Sequence, residues 1–503
     1  MHWFVAVPSK DWFYTGLLVF GLFILVFFAE LVSRKRIVPG WQLRKAVHVF
    51  TGVFVLAALF LLQDVVPLTL IAAGFAAFNL WSILRNAFRS FNATPNRSLG
   101  TFYYPLSFLI LLAFFWPEHK LAVLISFSLM AFADAAAGIA GRNAPKSEML
   151  NLPGDTKSLR GSATMFVTSS IITATWLMAF ADTSTLNNLQ LVLTALMVGL
   201  LATSAEAVSI RGSDNLSVPI LSALLIYAFD NPDLQIQFGI AMLLAGAVVA
   251  MSYRLHLLDL SGALAGFLVG TVTFGAGGWP YTIPMLLFFG VSNVLSKILK
   301  SERKDRDKIL EKGSHRDAKQ VLANGLLPAL LVLGSLLEES QYLYIFYLSG
   351  LAAAMADTWA TEIGMAFSSR PRSIITGRLV PVGESGGVTF SGTSGAVLAA
   401  AFMAGCGVLI GKFWPIYSLS SIVFVIIAIS AILAQVLDSL LGATLQRKNR
   451  CTVCHKLTER QIHCDTTTAH IKGLMWMDND VVNILCSLSG IFFSYIMVKY
   501  LLN

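Results

Sequence analysis

The chain has 503 residues, of which 56% are hydrophobic and only 13% charged, and its mean hydropathy is +0.71. That composition excludes a soluble globule. The net charge of +8 is divided among loops between long apolar runs, a pattern that speaks of membrane orientation, and nucleic acid is not an expected partner.

Runs of about 18 or more apolar residues can cross a bilayer. In chain order they fall at 13–33, 46–63, 66–84, 99–116, 121–141, 161–181, 188–209, 216–230, 235–252, 258–275, 279–297, 319–337, 342–366, 386–411, 416–440 and 480–501. These sixteen segments predict an all-α polytopic membrane protein, with 216–230 short enough to lie half-buried instead. The first run is too long for a cleavable signal peptide and lacks a small-residue cleavage site. Lys and Arg gather in alternate loops: Arg34–Arg36 with Arg44 and Lys45, then Arg85, Arg89 and Arg97, then 142–160, Arg211, Arg254, 297–319, 370–378 and 447–460. The intervening loops carry almost no arginine, which places the basic loops in the cytoplasm and both termini outside. The expected location is a bacterial cell membrane with the active sites facing the cytoplasm.

One polar signature occurs twice, Asp-x-x-Ala-x-x-x-Gly near the end of an apolar run: Asp134, Ala137, Gly141, and again Asp357, Ala360, Gly364. A proline precedes each aspartate at matching spacing (Pro105 and Pro328), and a second acid follows (Asp214 and Asp438). A carboxylate at membrane depth is costly, so its repetition in one frame asks for a shared reason. The spacing predicts two tandem, parallel-oriented halves that divide near 234–256: a connector with one helix over 1–39, a first domain over 40–234 and a second over 235–503.

In the first half, Asp134, Gly138, Gly141 and Arg142 lead to Lys157, Ser158, Arg160, Gly161 and Ser162. Small residues let a backbone or a phosphate approach closely, and a helix opening at Gly161 and Ser162 would aim free amides at an anion. Asp134 cannot bind phosphate, but it can hold a Mg²⁺ that does. Glu206, Asp214 and Asn215 supply further oxygens at the same depth, and several carboxylates in one site repel unless a divalent cation sits between them. His48 opens the second run with Arg44 and Lys45, as either an interfacial anchor or a base.

The second half holds Asn324 near the start of one run, Asp357 and Glu362 at the end of the next, and Gly386, Gly387 and Thr389 before another. Asp438 closes the following run, and Asp478, Asn479 and Asn483 open the last. Asp357, Asp438 and Asp478 are the expected metal ligands, as Asp134 and Asp214 are in the first half. The run 301–311 is of mixed charge, which a solvated helix face explains equally well. Of the five cysteines, Cys451, Cys454 and Cys464 lie in one predicted cytoplasmic loop, where reduced thiols without metal are expected. Zinc there would need a fourth ligand from His455, His463 or His470.

Taken together, Asp-x-x-Ala-x-x-x-Gly, Lys-Ser-x-x-Gly-Ser and Glu…Ser-Asp-Asn-x-x-x-Pro, over roughly residues 40–230, resemble the dolichol kinase and phytol kinase family of CTP-using polyprenol kinases. The resemblance implies CTP binding at Asp134, Gly141, Lys157, Ser158 and Gly161. The His-Gly-Gly…Asp-Arg-x-Asp ending of the related CDP-diacylglycerol synthases is absent, which argues against cytidylyl transfer. The second half, over roughly residues 245–500, is similar to the family containing phytyl-phosphate kinase and the eukaryotic transmembrane protein 19, through Arg-Asp-x-x-Gln-Val, Ala-Asp-Thr-Trp-Ala-x-Glu-x-Gly and Gly-Gly-Val-Thr. The expectation is a bifunctional salvage enzyme. Its first half would phosphorylate an isoprenoid alcohol of the phytol or geranylgeraniol type, and its second would convert the prenyl phosphate to the diphosphate. Mg²⁺, CTP and the bilayer are the expected partners; the nucleotide of the second half and homo-oligomerisation are left open. The rival readings are a transporter with internal repeats and a chain with one catalytic and one scaffold half. Transporter sites favour the midplane and inverted repeats, whereas these acids fall near span ends in parallel repeats, and both halves keep their acid sets.

Overall fold

The computed structural model describes residues 7–85, 98–150, 152, 156–180, 187–299, 316–338, 340–367, 370–455, 457–459 and 461–502. The expected loop arginines Arg89 and Arg97, and the mixed-charge run 301–311, lie outside them. The chain forms two compact units, Met1–Gly239 and Ile240–Asn503.

The first unit contains α1 (Ser9–Lys35), α2 (Gly40–Leu61), α3 (Val65–Arg85), α4 (Gly100–Phe115), α5 (Lys120–Ser128), α6 (Asp134–Arg142), α7 (Leu159–Phe180), α8 (Asn188–Val208) and α9 (Asp214–Phe229). The division between units falls within α10 (Pro232–Arg254). The second unit continues with α11 (Leu260–Leu299), α12 (Ala318–Gly334), α13 (Gln341–Phe367), α14 (Phe390–Phe413), α15 (Ser421–Thr444) and α16 (Asn479–Leu501). Strands are very short, all antiparallel, and confined to loops. β1 (Met149–Leu150) pairs with β2 (Lys157–Ser158), and β3 (Arg372–Ser373) with β4 (Gly387–Val388). In the α15–α16 loop, β5 (Lys448–Arg450) lies between β6 (Leu457–Thr458) and β9 (Ala469–Lys472), and β7 (Ile462–His463) pairs with β8 (Thr466–Thr467).

The protein is therefore an all-α polytopic membrane protein. Among the described residues, eleven helices are long and apolar enough to cross a membrane, against sixteen expected segments. The difference has physical origins. Helices α4, α9 and α12 are apolar but short. Helix α11 carries the expected runs 258–275 and 279–297 as one 40-residue element, turned at Gly278, whose φ of 63° a residue with a side chain rarely adopts. Helix α13 is 27 residues long, and Asp357 and Glu362 interrupt its apolar run.

Both units share an order of packing. In the first, α3 packs on α4, α4 on α9, α7 on α6 and α8, and α8 on α9. In the second, α11 packs on α12, α12 on α16, α14 on α13 and α15, and α15 on α16. A proline lies inside both α4 and α12, at Pro105 and Pro328. Side-chain caps fix several helix starts: Asn187 and Gln190 form a capping box on α8, Asp317 and Gln320 one on α12. The buried Asp11 of α1 accepts the amides of Gln63 and Asp64 at 2.9 Å each, tying α1 to the start of α3.

Candidate active sites

In the first unit the site begins with an irregularity in one helix. Between α5 and α6, residues Leu129–Ala133 form a π turn, and the N–H of Asp134 reaches back to Leu129 O. Met130 O thereby loses the partner an α-helix would give it. His48 takes that place, with Nε2 2.7 Å from Met130 O. A carbonyl only accepts, so Nε2 carries the proton, and in the neutral ring Nδ1 is the acceptor. Lys45, one helical turn before His48 on the same face, donates to Asp134 Oδ2 at 2.6 Å and to its carbonyl at 3.1 Å. His48 Nε2 lies 3.5 Å from the same carboxylate oxygen.

A second ion pair stands beside the first. Lys157 of β2 donates to Glu206, near the end of α8, at 2.5 Å and to Ser209 Oγ at 3.2 Å. Burial works against the Lys157 ammonium, but the carboxylates of Glu206, Asp214 and Asp134 together outweigh it and hold the lysine pKa above its ordinary value. Asp214 and Asn215 open α9, where the Asn215 amide donates to Asp214 Oδ1 at 3.0 Å and to Gly212 O at 3.1 Å. Lys45, His48, Asp134, Lys157, Glu206, Asp214 and Asn215 line one cavity of about 750 Å³. Its polar end also holds Arg44, Arg211 and Arg142, the last stacked 4.7 Å above Trp41, while Leu22, Phe54, Leu68, Phe75 and Phe108 line it elsewhere with apolar surface. A charged end joined to an apolar one suits an amphiphile.

The glycines act in pairs. A Cβ on Gly161 would lie 3.2 Å from Ala137 O and from Gly141 Cα; one on Gly392 would lie 2.8 Å from Ala360 O and 3.4 Å from Gly364 Cα. Glycine lets α6 approach α7 and α13 approach α14 closely, and the second crossing is the tighter. A hydroxyl caps the second helix of each pair: Ser158 Oγ accepts from Gly161 N at 3.1 Å, Thr389 Oγ1 from Gly392 N at 3.0 Å.

Four expectations about the sites change. Helix α7 begins at Leu159 rather than at Gly161, so Ser158 occupies the Gly161 amide that was expected to cradle an anion. Arg160 pairs with Glu148 at 2.9 Å and does not line the cavity, although Ser162 does. Thr389 and Asp478 cap α14 and α16; Asp478 Oδ1 accepts from Val481 N at 3.1 Å. Asp134, the first residue of α6 after the π turn, and Asp357, within α13, stand about two to three turns before their helices end at Arg142 and Phe367, rather than at those ends.

In the second unit the acids meet each other. The carboxyl groups of Asp357 and Asp438 face each other, and Asp438 Oδ2 is buried with no hydrogen-bond partner among the described residues. Two carboxylates this close repel unless a proton or a cation lies between them. Glu459, from the α15–α16 loop, faces Asp438 and Asp478 and hydrogen-bonds Ser385. Arg316 faces Glu362. Cys486 of α16 faces both Asp357 and Asp438; Asn483 lies one turn before it, and Asn479 one turn before that. Asn324 is bonded to Gln320 O within α12 at 3.2 Å. Gly386 (φ 80°) and Gly387 are loop residues, the former seated against Ala443 of α15 and the latter paired in β4.

The packing order re-registers the repeat. Asp438 lies near the end of α15, where the first unit has Glu206 near the end of α8; Asp214 opens α9 where Asp478 and Asn479 open α16. The pairing of Asp214 with Asp438 by spacing is thus replaced. The missed site residues are Tyr104, whose ring meets His48 edge-on at 4.9 Å, and Glu459. Lys45 and His48 were visible as a basic pair at helical spacing, but their partner Asp134 is 89 residues away from Lys45. Nothing in the spacing shows it.

Comparison with known proteins gives a consistent picture. The integral membrane protein family DUF92 matches residues 243–491. Protein PGR of Arabidopsis thaliana is 30% identical over 287 residues, covering 53% of this chain and 98% of that protein. A phytol kinase of Synechocystis is 29% identical over 228 residues, 44% of this chain and 94% of the kinase. The chloroplastic protein VTE6 of Arabidopsis thaliana is 22% identical over 251 residues, 49% and 67% of the two chains. No solved structure matches.

Proposed function

The chain belongs to the integral membrane protein family DUF92, and on that premise we propose that it is a prenol phosphotransferase with one site in each unit. The first converts an isoprenoid alcohol of the phytol or geranylgeraniol type to its monophosphate, and the second converts the monophosphate to the diphosphate. The observation that carries the reading is the first cavity, which joins basic and acidic side chains at one end to apolar walls. Relatives named phytol kinase support the substrate class.

Phosphoryl transfer needs positioning and charge neutralisation more than covalent chemistry. Lys45, Arg44, Arg142 and Arg211 attract the donor phosphates to the polar end of the cavity. The apolar walls hold the prenyl chain and exclude water. His48, with Nε2–H held by Met130 O, presents Nδ1 to accept the proton of the substrate hydroxyl. CTP is the proposed donor. Lys45 and Lys157 already neutralise Asp134 and Glu206, so the first site needs no cation to hold its acids together. Asp214 and Asn215 fit as oxygen ligands for a Mg²⁺ arriving with the nucleotide, and the Asp357–Asp438 pair fits one in the second unit. Bound there, Mg²⁺ neutralises the phosphate oxygens. We place both sites on the cytoplasmic side, where the basic loops are expected.

Membranes containing the protein are to be incubated with radiolabelled geranylgeraniol, Mg²⁺ and each nucleoside triphosphate, and the lipids separated. Monophosphate followed by diphosphate is the expected result. Unchanged alcohol with every nucleotide defeats the proposal.

A further inference from the structure

The loop that joins α15 to α16 gathers Cys451, Cys454, His463 and Cys464, and their ligand atoms all lie within 4.8 Å of one another. They come from two turns. In the first, His455 at φ 57° returns its N–H to Cys451 O at 3.1 Å, and the Cys451 sulfur accepts the amides of Val453 and Cys454, both at 3.4 Å. The second turn joins β7 to β8 through Cys464 and Asp465, at φ 52° and 58°. His463 Nδ1 lies 3.2 Å from Cys464 Sγ and 3.6 Å from Cys454 Sγ. No disulfide links the cysteines.

Three non-glycine residues in the left-handed region cost on the order of 1 kcal/mol or more each, and such strain persists only where surrounding structure over-determines it. Strands of two to four residues do little of that. Three sulfurs and an imidazole nitrogen converging from two turns are the donor set of a closed tetrahedral zinc site. Amides aimed at a sulfur favour its thiolate form, the form that binds metal. We propose that the loop binds one zinc ion through the sulfurs of Cys451, Cys454 and Cys464 and Nδ1 of His463, as a structural site. With four protein ligands it has no position for substrate, so its work is mechanical. It fixes the strap that carries Glu459 to Ser385 and Asp438, while Lys448 pairs with Glu384 at 3.0 Å and Lys472 bonds Ala443 O at 3.2 Å. The assignment does not rest on the phosphotransferase reading.

The test is metal analysis of the full-length protein, purified in detergent under reducing conditions without chelators. About one zinc per chain is expected. Cys454→Ser and Cys464→Ser are expected to lose at least tenfold of it, whereas Cys406→Ser, in α14, keeps it all. Cobalt exchanged into the unaltered protein is expected to give the intense visible bands of a tetrahedral thiolate site. His463→Cys is expected to retain cobalt and shift those bands, a change that misfolding would not produce. Protein that carries no zinc and takes up neither Zn²⁺ nor Co²⁺ overturns the proposal, as does zinc content unchanged in both serine variants.

Discussion

The two acidic sites solve the same electrostatic problem in different ways. In the first unit each of two buried acids has its own lysine, Asp134 with Lys45 and Glu206 with Lys157, and the ion pairs face a cavity. In the second, Asp357 and Asp438 meet each other, and the nearby cations serve other groups: Lys448 pairs with Glu384 and Arg316 faces Glu362. The helices that carry them follow one packing order, and the glycine crossings coincide. What differs is how the charge is compensated. The same scaffold therefore holds one site whose acids are paired with lysines and one whose acids face each other.

That contrast breaks first at Lys45. Lys45→Met leaves Asp134 buried without its cation, which costs about 3–5 kcal/mol and lowers the melting temperature. Alcohol phosphorylation is expected to fall at least 10²-fold, since a phosphate-facing charge is lost as well. The double variant Lys45→Met, Asp134→Asn is expected to recover stability but not activity. Circular dichroism melts paired with product assays check both, and activity restored in the double variant would remove Asp134 from the chemistry.

Changing the acids themselves sharpens the comparison through opposite signs. Asp134→Asn strands Lys45 and lowers stability by a few kcal/mol, whereas Asp357→Asn relieves a carboxyl–carboxyl contact and leaves metal-free stability equal or higher. Melts in chelator show the difference; the same sign in both variants contradicts the account. The glycine crossings differ in degree. Gly392→Ala, with its Cβ 2.8 Å from Ala360 O, forces backbone apart and is expected to cost about 1–3 kcal/mol. Gly161→Ala, with its nearest contacts at 3.2 Å, is expected to cost less. The smallest effects belong to the caps, where Ser158→Ala and Thr389→Ala each cost about 1 kcal/mol.

The helical membrane class and the repeated Asp/Ala/Gly pattern were legible because both rest on local periodicity. The register beyond Gly364 was not. The loop before α7 covers 143–158 and that before α14 covers 368–389, while 209–213 separates α8 from α9 and 445–478 separates α15 from α16. Counting residues across loops of such different length matched Asp214 to Asp438, and only packing shows that Glu206 holds the corresponding place. Charge compensation was hidden for the same reason. Lys45 and Asp134 are distant in sequence, so the acids looked as if they needed a divalent cation. Four metal-type ligands in one loop were visible, but which histidine completes them depended on the β7–β8 turn, where His463 and Cys464 are brought to Cys454. His455 and His470 stay outside that group.

The central claim is two independent sites, one per unit. The most direct measurement supplies labelled geranylgeraniol, Mg²⁺ and CTP to membranes carrying Asp134→Asn, Asp357→Asn, or both proteins mixed by vesicle fusion, with labelled monophosphate as a second substrate. Asp134→Asn is expected to leave the alcohol unchanged yet convert monophosphate to diphosphate; Asp357→Asn is expected to stop at the monophosphate; the mixture is expected to make diphosphate from alcohol. Loss of both steps in either folded variant, or full diphosphate synthesis by Asp357→Asn, would contradict it.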